Sequence, residues 1–275
     1  MKISVIAPVK NEFPWIGYSA LAAAPFVHEF IYTVAAGSND GTLSLLPHLK
    51  KILGDKIKYR ISQEYDFDPL DMKAYNKAFN DAINEATGDA CWFLHPDMVV
   101  TKGAELSEGP LAWFTNITSF AGDMNTRIAK GRTDKWKNIH AKKFGLHYFG
   151  GYGSQNEDFY HSAITGNAYK HYGTEFSQYP FEIADSGISI NHYCELKSYR
   201  RRLEKMKLCL TTQHPSFEAK LIDEMAANHP RVTLMSNDNR FGQFHFEKVE
   251  SPIPDVITNY KEEFEALKKG DLVHG

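Results

Sequence analysis

The first hundred residues alternate between apolar stretches of strand length and amphipathic stretches of helix length, and this alternation restricts the fold more than any other feature. Residues 2–9 and 29–35 are almost continuously apolar, as strands buried on both faces of a sheet are. Helical periodicity follows each of them and returns over residues 70–87. Strands that alternate with helices predict a parallel sheet covered by helices on both faces. We therefore expect a three-layer α/β domain over residues 1–195.

The strand that follows residue 88 ends in a polar group. The stretch Ala90–Leu94 has the character of a buried strand, and His95, Pro96 and Asp97 come directly after it. In open α/β sheets, ligands bind beyond the carboxyl ends of the strands. An imidazole and a carboxylate two residues apart at that place are candidate ligands of a metal or a substrate. The alternative is a turn that ends the strand, because Pro and Asp are common turn residues.

Polar residues also follow the first two strands. Asn11 and Glu12 come after the first strand, and Ser38 and Asp40 come after the second. At the carboxyl edge of a parallel sheet these side chains are candidates to hold the base or ribose of a nucleotide. Helix capping is the alternative role, above all for Asp40. The first turn has no G-x-G-x-x-G pattern, so an NAD or FAD site is not expected there.

The alternation weakens beyond residue 100. Between residues 127 and 143, seven Lys and Arg side chains accompany a single Asp. Such a cluster, with Trp136 and His140 interleaved, fits an anionic partner such as a phosphorylated glycan, a lipid phosphate or a nucleic acid. A solvated loop is the alternative. After Glu195 the periodicity is helical, so residues 196–275 are expected to form a helical extension packed on the domain.

Several of these stretches resemble, in the same order, the motifs of family 2 glycosyltransferases, which have the GT-A fold. SVIAPVKNE is similar to the family's first strand and turn, and GSNDGT to the loop after its second strand. AFNDAINEATGDACWFLHPD is similar to the helix and strand that lead into the metal-binding Asp-x-Asp motif. FGGYG and NED resemble the glycine-rich loop and the x-Glu-Asp motif, and His192 stands where a metal-binding histidine follows.

The resemblance implies transfer of a sugar from a nucleoside-diphosphate sugar to an acceptor hydroxyl, with inversion and with help from a divalent metal. The donor-binding positions that it implies are Pro8, Asn11, Glu12, Gly37, Ser38, Asp40, Gly150 and Gly151. Gly150 and Gly151 are also compatible with a simple turn. The implied catalytic base is Asp158, with Glu157 in support, although the two carboxylates are also typical of a helix start.

The metal ligands implied by the resemblance are Asp97 and His192, with His95 as a third. Two imidazoles and one carboxylate favour Mn²⁺ over Mg²⁺, because Mg²⁺ prefers oxygen ligands. The chain departs from the family at two places. His95 replaces the first Asp of Asp-x-Asp, and Ala35-Ala36 replace an acidic pair that contacts the base. These departures motivate a catalytically silent nucleotide-binding or scaffold domain as one alternative function. A nucleotidyltransferase, built on a similar sheet, is another.

Composition adds expectations about the compartment. The net charge of -3 excludes a general polyanion binder, and the three cysteines show no CxxC spacing, which fits a reducing environment. The chain begins without the pattern of a secretory signal, and the apolar stretch at residues 20–27 is too short to cross a bilayer. These features predict a cytoplasmic protein without a transmembrane segment.

Overall fold

A computed structural model describes most of the chain. The described residues are 1–64, 72–121, 123–130, 135–142, 146–149, 162–165, 183–196, 203, 206–207, 210, 216–228, 245–250 and 253–271. The helices among them are α1 (Trp15–Ala23), α2 (Thr42–Leu53), α3 (Met72–Glu85), α4 (Ala219–Ala227) and α5 (Asp255–Asp271). The strands are β1 (Ile3–Val9), β2 (Glu29–Ala35), β3 (Ile57–Ser62), β4 (Ala90–Trp92), β5 (Met98–Lys102), β6 (Ala112–Ala121), β7 (Thr126–Lys130), β8 (Lys135–Ala141), β9 (Leu146–Phe149), β10 (Ser162–Thr165), β11 (Ile183–Glu195) and β12 (His245–Lys248).

The main sheet has a parallel half and a mixed half. Its strand order is β12-β7-β6-β8-β4-β1-β2-β3, and β11 pairs with both β5 and β6. The neighbours among β3, β2, β1 and β4 are all parallel, whereas β8 is antiparallel to both β4 and β6. Strands β9 and β10 form a separate antiparallel pair. The expected α/β class with a parallel sheet at its centre is confirmed.

Alternating side chains of β1 belong to two hydrophobic clusters, one on each face of the sheet. Val5 and Val9 belong to the large core that the sheet forms with α1, α2 and α5, whereas Ile6 packs with the apolar face of α3. Phe264 of α5 is fully buried and lies against Gly17 of α1. A Cβ atom at residue 17 would lie 2.5 Å from the Phe264 ring, so the close approach of the two helices requires glycine there.

The carboxy-terminal part contains a strand as well as helices. Helix α5 packs on α1 and α2, and β12 pairs with β7 in antiparallel orientation. The expected helical extension is therefore joined to the main sheet by a strand that its periodicity did not reveal, and a domain boundary at residue 195 stays a prediction. Within the described ranges, no helix combines the length and apolar character needed to span a bilayer.

A buried carboxylate fastens the amino edge of the sheet. Glu29, the first residue of β2, is 3% exposed. Its Oε1 accepts hydrogen bonds from the Ser4 hydroxyl at 2.7 Å and from the N–H and hydroxyl of Thr87 at 2.6 and 2.8 Å. Its Oε2 accepts one from Lys58 Nζ at 2.6 Å. Burial by itself would raise the pKa of Glu29, but these hydrogen bonds outweigh burial and lower the pKa to about 2.

Candidate functional site

Hydrogen bonds join the loops that follow β1 and β2. The Asn11 N–H donates to Ser38 Oγ at 3.3 Å, and the Asn39 N–H donates to Asn11 Oδ1 at 2.7 Å. The Phe13 N–H donates to Asp40 Oδ2 at 3.0 Å. Asn11 has a φ of 55°, which is the left-handed region that Asn tolerates better than most residues. The two loops predicted to bind a nucleotide therefore lie side by side at the carboxyl edge of the sheet.

Asp40 holds the start of α2. Its Oδ1 accepts hydrogen bonds from the N–H and the hydroxyl of Thr42 at 3.0 and 2.6 Å. The Glu12 N–H in turn donates to Thr42 Oγ1 at 2.8 Å. Gly41 is the N-cap residue of α2, so Asp40 binds the helix start from the position before the cap, which is close to the capping role that the sequence left as its alternative. A contact between Asp40 and a nucleotide stays a prediction.

The other predicted donor-binding residues of this edge differ in exposure. Pro8 is half-buried near the end of β1, and Gly37 is exposed in the loop after β2. Ala35 is fully buried against Ala78 of α3. A carboxylate at residue 35 would be buried against an apolar helix face, so the absence of the acid fits the packing of this chain.

Asp97 and His192 come together although they are far apart in the sequence. The turn after β4 is closed by a hydrogen bond from the Met98 N–H to the His95 carbonyl at 3.0 Å. Strand β11 places His192 opposite Met98, and the Tyr193 N–H donates to the Asp97 carbonyl at 2.9 Å. Asp97 and His192 are 3% and 5% exposed, and His192 Nε2 lies 3.5 Å from Asp97 Oδ1. The two strongest predicted metal ligands thus form a pair.

The spacing of this pair fits a shared cation. A separation of 3.5 Å is longer than a normal N–H···O hydrogen bond. Two ligand atoms that each bind one ion at about 2.1 Å lie about 3.0 to 3.4 Å apart at right or tetrahedral angles. A small side-chain shift would therefore let both atoms bind one divalent ion. No group of three or more possible metal-binding side chains occurs among the described residues, so His95 as a third ligand stays a prediction.

Aromatic rings surround the pair. Trp136 of β8 lies edge-on to both histidines, with ring centroids 5.3 Å from His192 and 6.0 Å from His95. Trp15, at the start of α1, stacks on Tyr193 at 4.9 Å and so connects the pair to the helix that follows the first loop. The sequence did not assign Trp136 to this site, because its neighbours in the chain placed it in the basic cluster.

The basic cluster lies partly in strands and is partly neutralised. Arg127 of β7 pairs with Glu247 of β12 at 2.7 Å, and Lys135 of β8 pairs with Asp185 of β11 at 2.7 Å. The Lys135 ammonium, through its hydrogen bond, holds the pKa of Asp185 below its ordinary value. Lys142 donates to a backbone carbonyl just after α3. These partners reduce the local positive charge, and an anionic acceptor at this surface stays a prediction.

Four of the predicted site residues lie outside the described part of the chain. They are Gly150, Gly151, Glu157 and Asp158. Their predicted roles are therefore not tested by the structure.

No protein-family model and no curated protein matches the sequence. Among solved structures, S. aureus TarS in complex with UDP-GlcNAc is 16% identical, with 97% of this chain and 84% of that chain covered and a TM-score of 0.41. Mannosyltransferase PcManGT from Pyrobaculum calidifontis, in complex with GDP-Man and Mn²⁺, is 10% identical over 97% of this chain and 80% of that chain, with a TM-score of 0.45. GalNAc-T7 with UDP, GalNAc and Mn²⁺ is 11% identical over 80% of this chain and 49% of that chain, with a TM-score of 0.40. These likenesses are distant, with every TM-score below 0.5.

Proposed function

We propose that the protein is a glycosyltransferase that moves a sugar from a nucleoside-diphosphate sugar to an acceptor hydroxyl. The observation that carries the proposal is the Asp97–His192 pair, buried at the carboxyl edge of the parallel sheet with 3.5 Å between the two side chains. Two polar loops at the same edge, after β1 and β2, are available to hold a nucleotide. The family 2 resemblance of the motifs supports the same function.

The pair suits the leaving group of such a reaction. A nucleoside diphosphate departs with additional negative charge, and a divalent cation supplies the compensating positive charge when it is bound. Asp97 and His192 would hold this cation, with diphosphate oxygens completing its coordination. One carboxylate and one imidazole favour Mn²⁺ over Mg²⁺. Asn11 and Ser38 would orient the nucleoside from the neighbouring loops.

The proposed base is Asp158, with Glu157 in support. The acceptor oxygen forms a bond to the anomeric carbon while the bond from that carbon to the diphosphate breaks. Asp158 takes the hydroxyl proton as this happens, which contributes roughly 10² to 10⁴ in rate. Direct attack from the opposite side inverts the anomeric configuration. We further propose that the protein acts in the cytoplasm, consistent with three cysteines without paired spacing.

A donor panel tests the proposed transfer. The protein is incubated with nucleotide sugars that include UDP-GlcNAc and GDP-mannose, and release of nucleoside diphosphate is measured with Mn²⁺ and with chelator. Asp97→Asn is expected to lower the rate about 100-fold or more, because it removes the only carboxylate of the pair. The matched control is Asp89→Asn, which changes an exposed carboxylate at the opposite edge of the sheet. Binding of donors without release from any of them would favour a silent nucleotide-binding domain instead.

A second experiment tests the base. Asp158→Asn is expected to lower turnover by roughly 10² to 10⁴ while donor binding persists. Glu157→Gln serves as the neighbouring control and is expected to have a smaller effect. The anomeric configuration of the product is read by NMR. Retention of the donor's configuration would rule out Asp158 as an inverting base.

A further inference from the structure

Strand β8 contains an irregularity near the Asp97–His192 pair. Opposite β6, Trp113 pairs with Ile139, but the next residue, Phe114, pairs with Lys137. Asn138 is therefore an extra residue on β8, which is the arrangement of a β-bulge. Bulges change the direction in which the following side chains point.

The bulge reverses the side on which Trp136 lies. In a regular strand, residues 136 and 139 would point to opposite faces of the sheet. Here Trp136 and Ile139 both pack in the large core, on the face that carries His192. Without the extra residue, the Trp136 indole would point away from the Asp97–His192 pair.

Buried hydrogen bonds hold the bulge in place. Asn138 and Thr115 are both fully buried, and the Thr115 hydroxyl donates to Asn138 Oδ1 at 3.0 Å. The Phe93 N–H donates to the Asn138 carbonyl at 2.9 Å. The bulge is thus bonded to β6 on one side and, on the other, to Phe93, which follows β4 and lies two residues before His95.

We propose that Trp136 is a positioning residue that holds the His192 imidazole with Nε2 directed at Asp97. This inference rests on the cation-assisted form of the proposed function. The terminal torsion of histidine is soft, and rotation of the ring out of its present plane would move Nε2 away from Asp97. The indole lies edge-on to His192, at 5.3 Å between centroids and an interplanar angle of 65°, and restricts that rotation.

The test measures binding of Mn²⁺ alone, by the EPR signal of the free ion, and does not need turnover. Hydrogen-bonded partners that orient metal-binding histidines change metal affinity by about 10- to 100-fold when they are removed, and we expect a ring contact that fixes the same imidazole to act at the lower end of this range. Trp136→Ala is therefore expected to raise the Mn²⁺ dissociation constant by at least about 10-fold, and Trp136→Phe, which keeps an aromatic ring, by less than about threefold. The control is Tyr260→Ala, which removes a partly buried aromatic ring from the same core, where it stacks on Phe264 of α5. It is expected to leave Mn²⁺ binding unchanged.

A measurement on the wild-type protein supplements the variants. Substoichiometric Mn²⁺ is expected to broaden the indole N–H signal of Trp136 in a ¹⁵N spectrum, with the signal assigned from Trp136→Phe. Equal Mn²⁺ affinity of wild type and Trp136→Ala, or an unbroadened Trp136 signal, would overturn the inference. Donor turnover without any Mn²⁺ binding would also overturn it while leaving glycosyl transfer intact. Mn²⁺ binding that depends on Trp136 without turnover of any donor would support the positioning role and refute the proposed function.

Discussion

Replacement of Glu29 by glutamine tests how strongly one buried carboxylate stabilises this fold. The substitution keeps the size of the side chain and removes its charge. In the native protein the carboxylate accepts four hydrogen bonds, one of them from the Lys58 ammonium. Glutamine would direct an amide N–H₂ group at one set of these donors. We therefore expect Glu29→Gln to leave at least one buried donor without an acceptor.

The lowered pKa of Glu29 gives the expected size of the loss in stability. Lowering the pKa of Glu29 from 4.5 to about 2 corresponds to about 3 kcal/mol of free energy of unfolding. Because the folded-state pKa lies below the unfolded-state value, this stabilisation is present above about pH 4.5 and is lost as the pH falls toward 2. Glu29→Gln is accordingly expected to lose about 3 kcal/mol at neutral pH and much less at pH 3.

Urea unfolding followed by circular dichroism, at several pH values between 7 and 3, measures the loss of unfolding free energy and its dependence on pH. The matched control is Asp55→Asn, which removes an exposed carboxylate that lies 3.1 Å from Lys50. This control is expected to leave the unfolding midpoint unchanged, because exposed ion pairs contribute little. A loss below about 1 kcal/mol for Glu29→Gln at pH 7 is the range of an exposed ion pair and would refute the reasoning. A difference from wild type that does not shrink on acidification would refute it equally.

Three further predictions concern the scaffold around the site. Gly17→Ala is expected to destabilise the protein by about 1–3 kcal/mol in urea unfolding, because the added Cβ would lie 2.5 Å from the Phe264 ring; wild-type stability would contradict the described packing of α5. Asn11→Val is expected to cost roughly 1–3 kcal/mol more than Asn11→Gly, because a β-branched residue is strained at a φ of 55°, and equal stability of the two variants would count against that conformation. Burial raises the pKa of the Cys91 thiol to about 12, so iodoacetamide at pH 8 is expected to label Cys91 only after unfolding, as read by peptide mass spectrometry. Equal labelling of native and unfolded protein would disprove its burial.

The parallel half of the sheet was predictable because its signals are local. Continuous apolar runs and helical periodicity located β1, β2, β4 and α3 to within a few residues. The mixed half was not predictable in this way. Strand β8 contains lysines at residues 135 and 137 and a bulge at Asn138, so neither a continuous apolar run nor a period of two identifies it. Strand β12 was missed because it is four residues long and because its partner, β7, is distant from it in the sequence.

The same contrast holds for the site. Asp97 and His192 were predicted together because each follows or ends an apolar stretch and the resemblance assigned both to a metal, and the structure brings them to 3.5 Å. Trp136 was missed at the pair because its position depends on the register of β8 against β6, which depends on long-range pairing. Asp40 contacts the first N–H group of α2 from the position before the N-cap residue Gly41, so its contacts are similar to the capping alternative but one residue earlier.

Strand β11 also determines when during synthesis the Asp97–His192 pair can first form. Asp97 leaves the ribosome about 95 residues ahead of His192, which at about 5–20 residues per second is an interval of roughly 5 to 20 s. During that interval the chain contains the strands β1 to β4 and both loops, but it has no imidazole opposite Asp97. An unfinished chain, or one cut short before β11, therefore cannot bring an imidazole to Asp97 in this way.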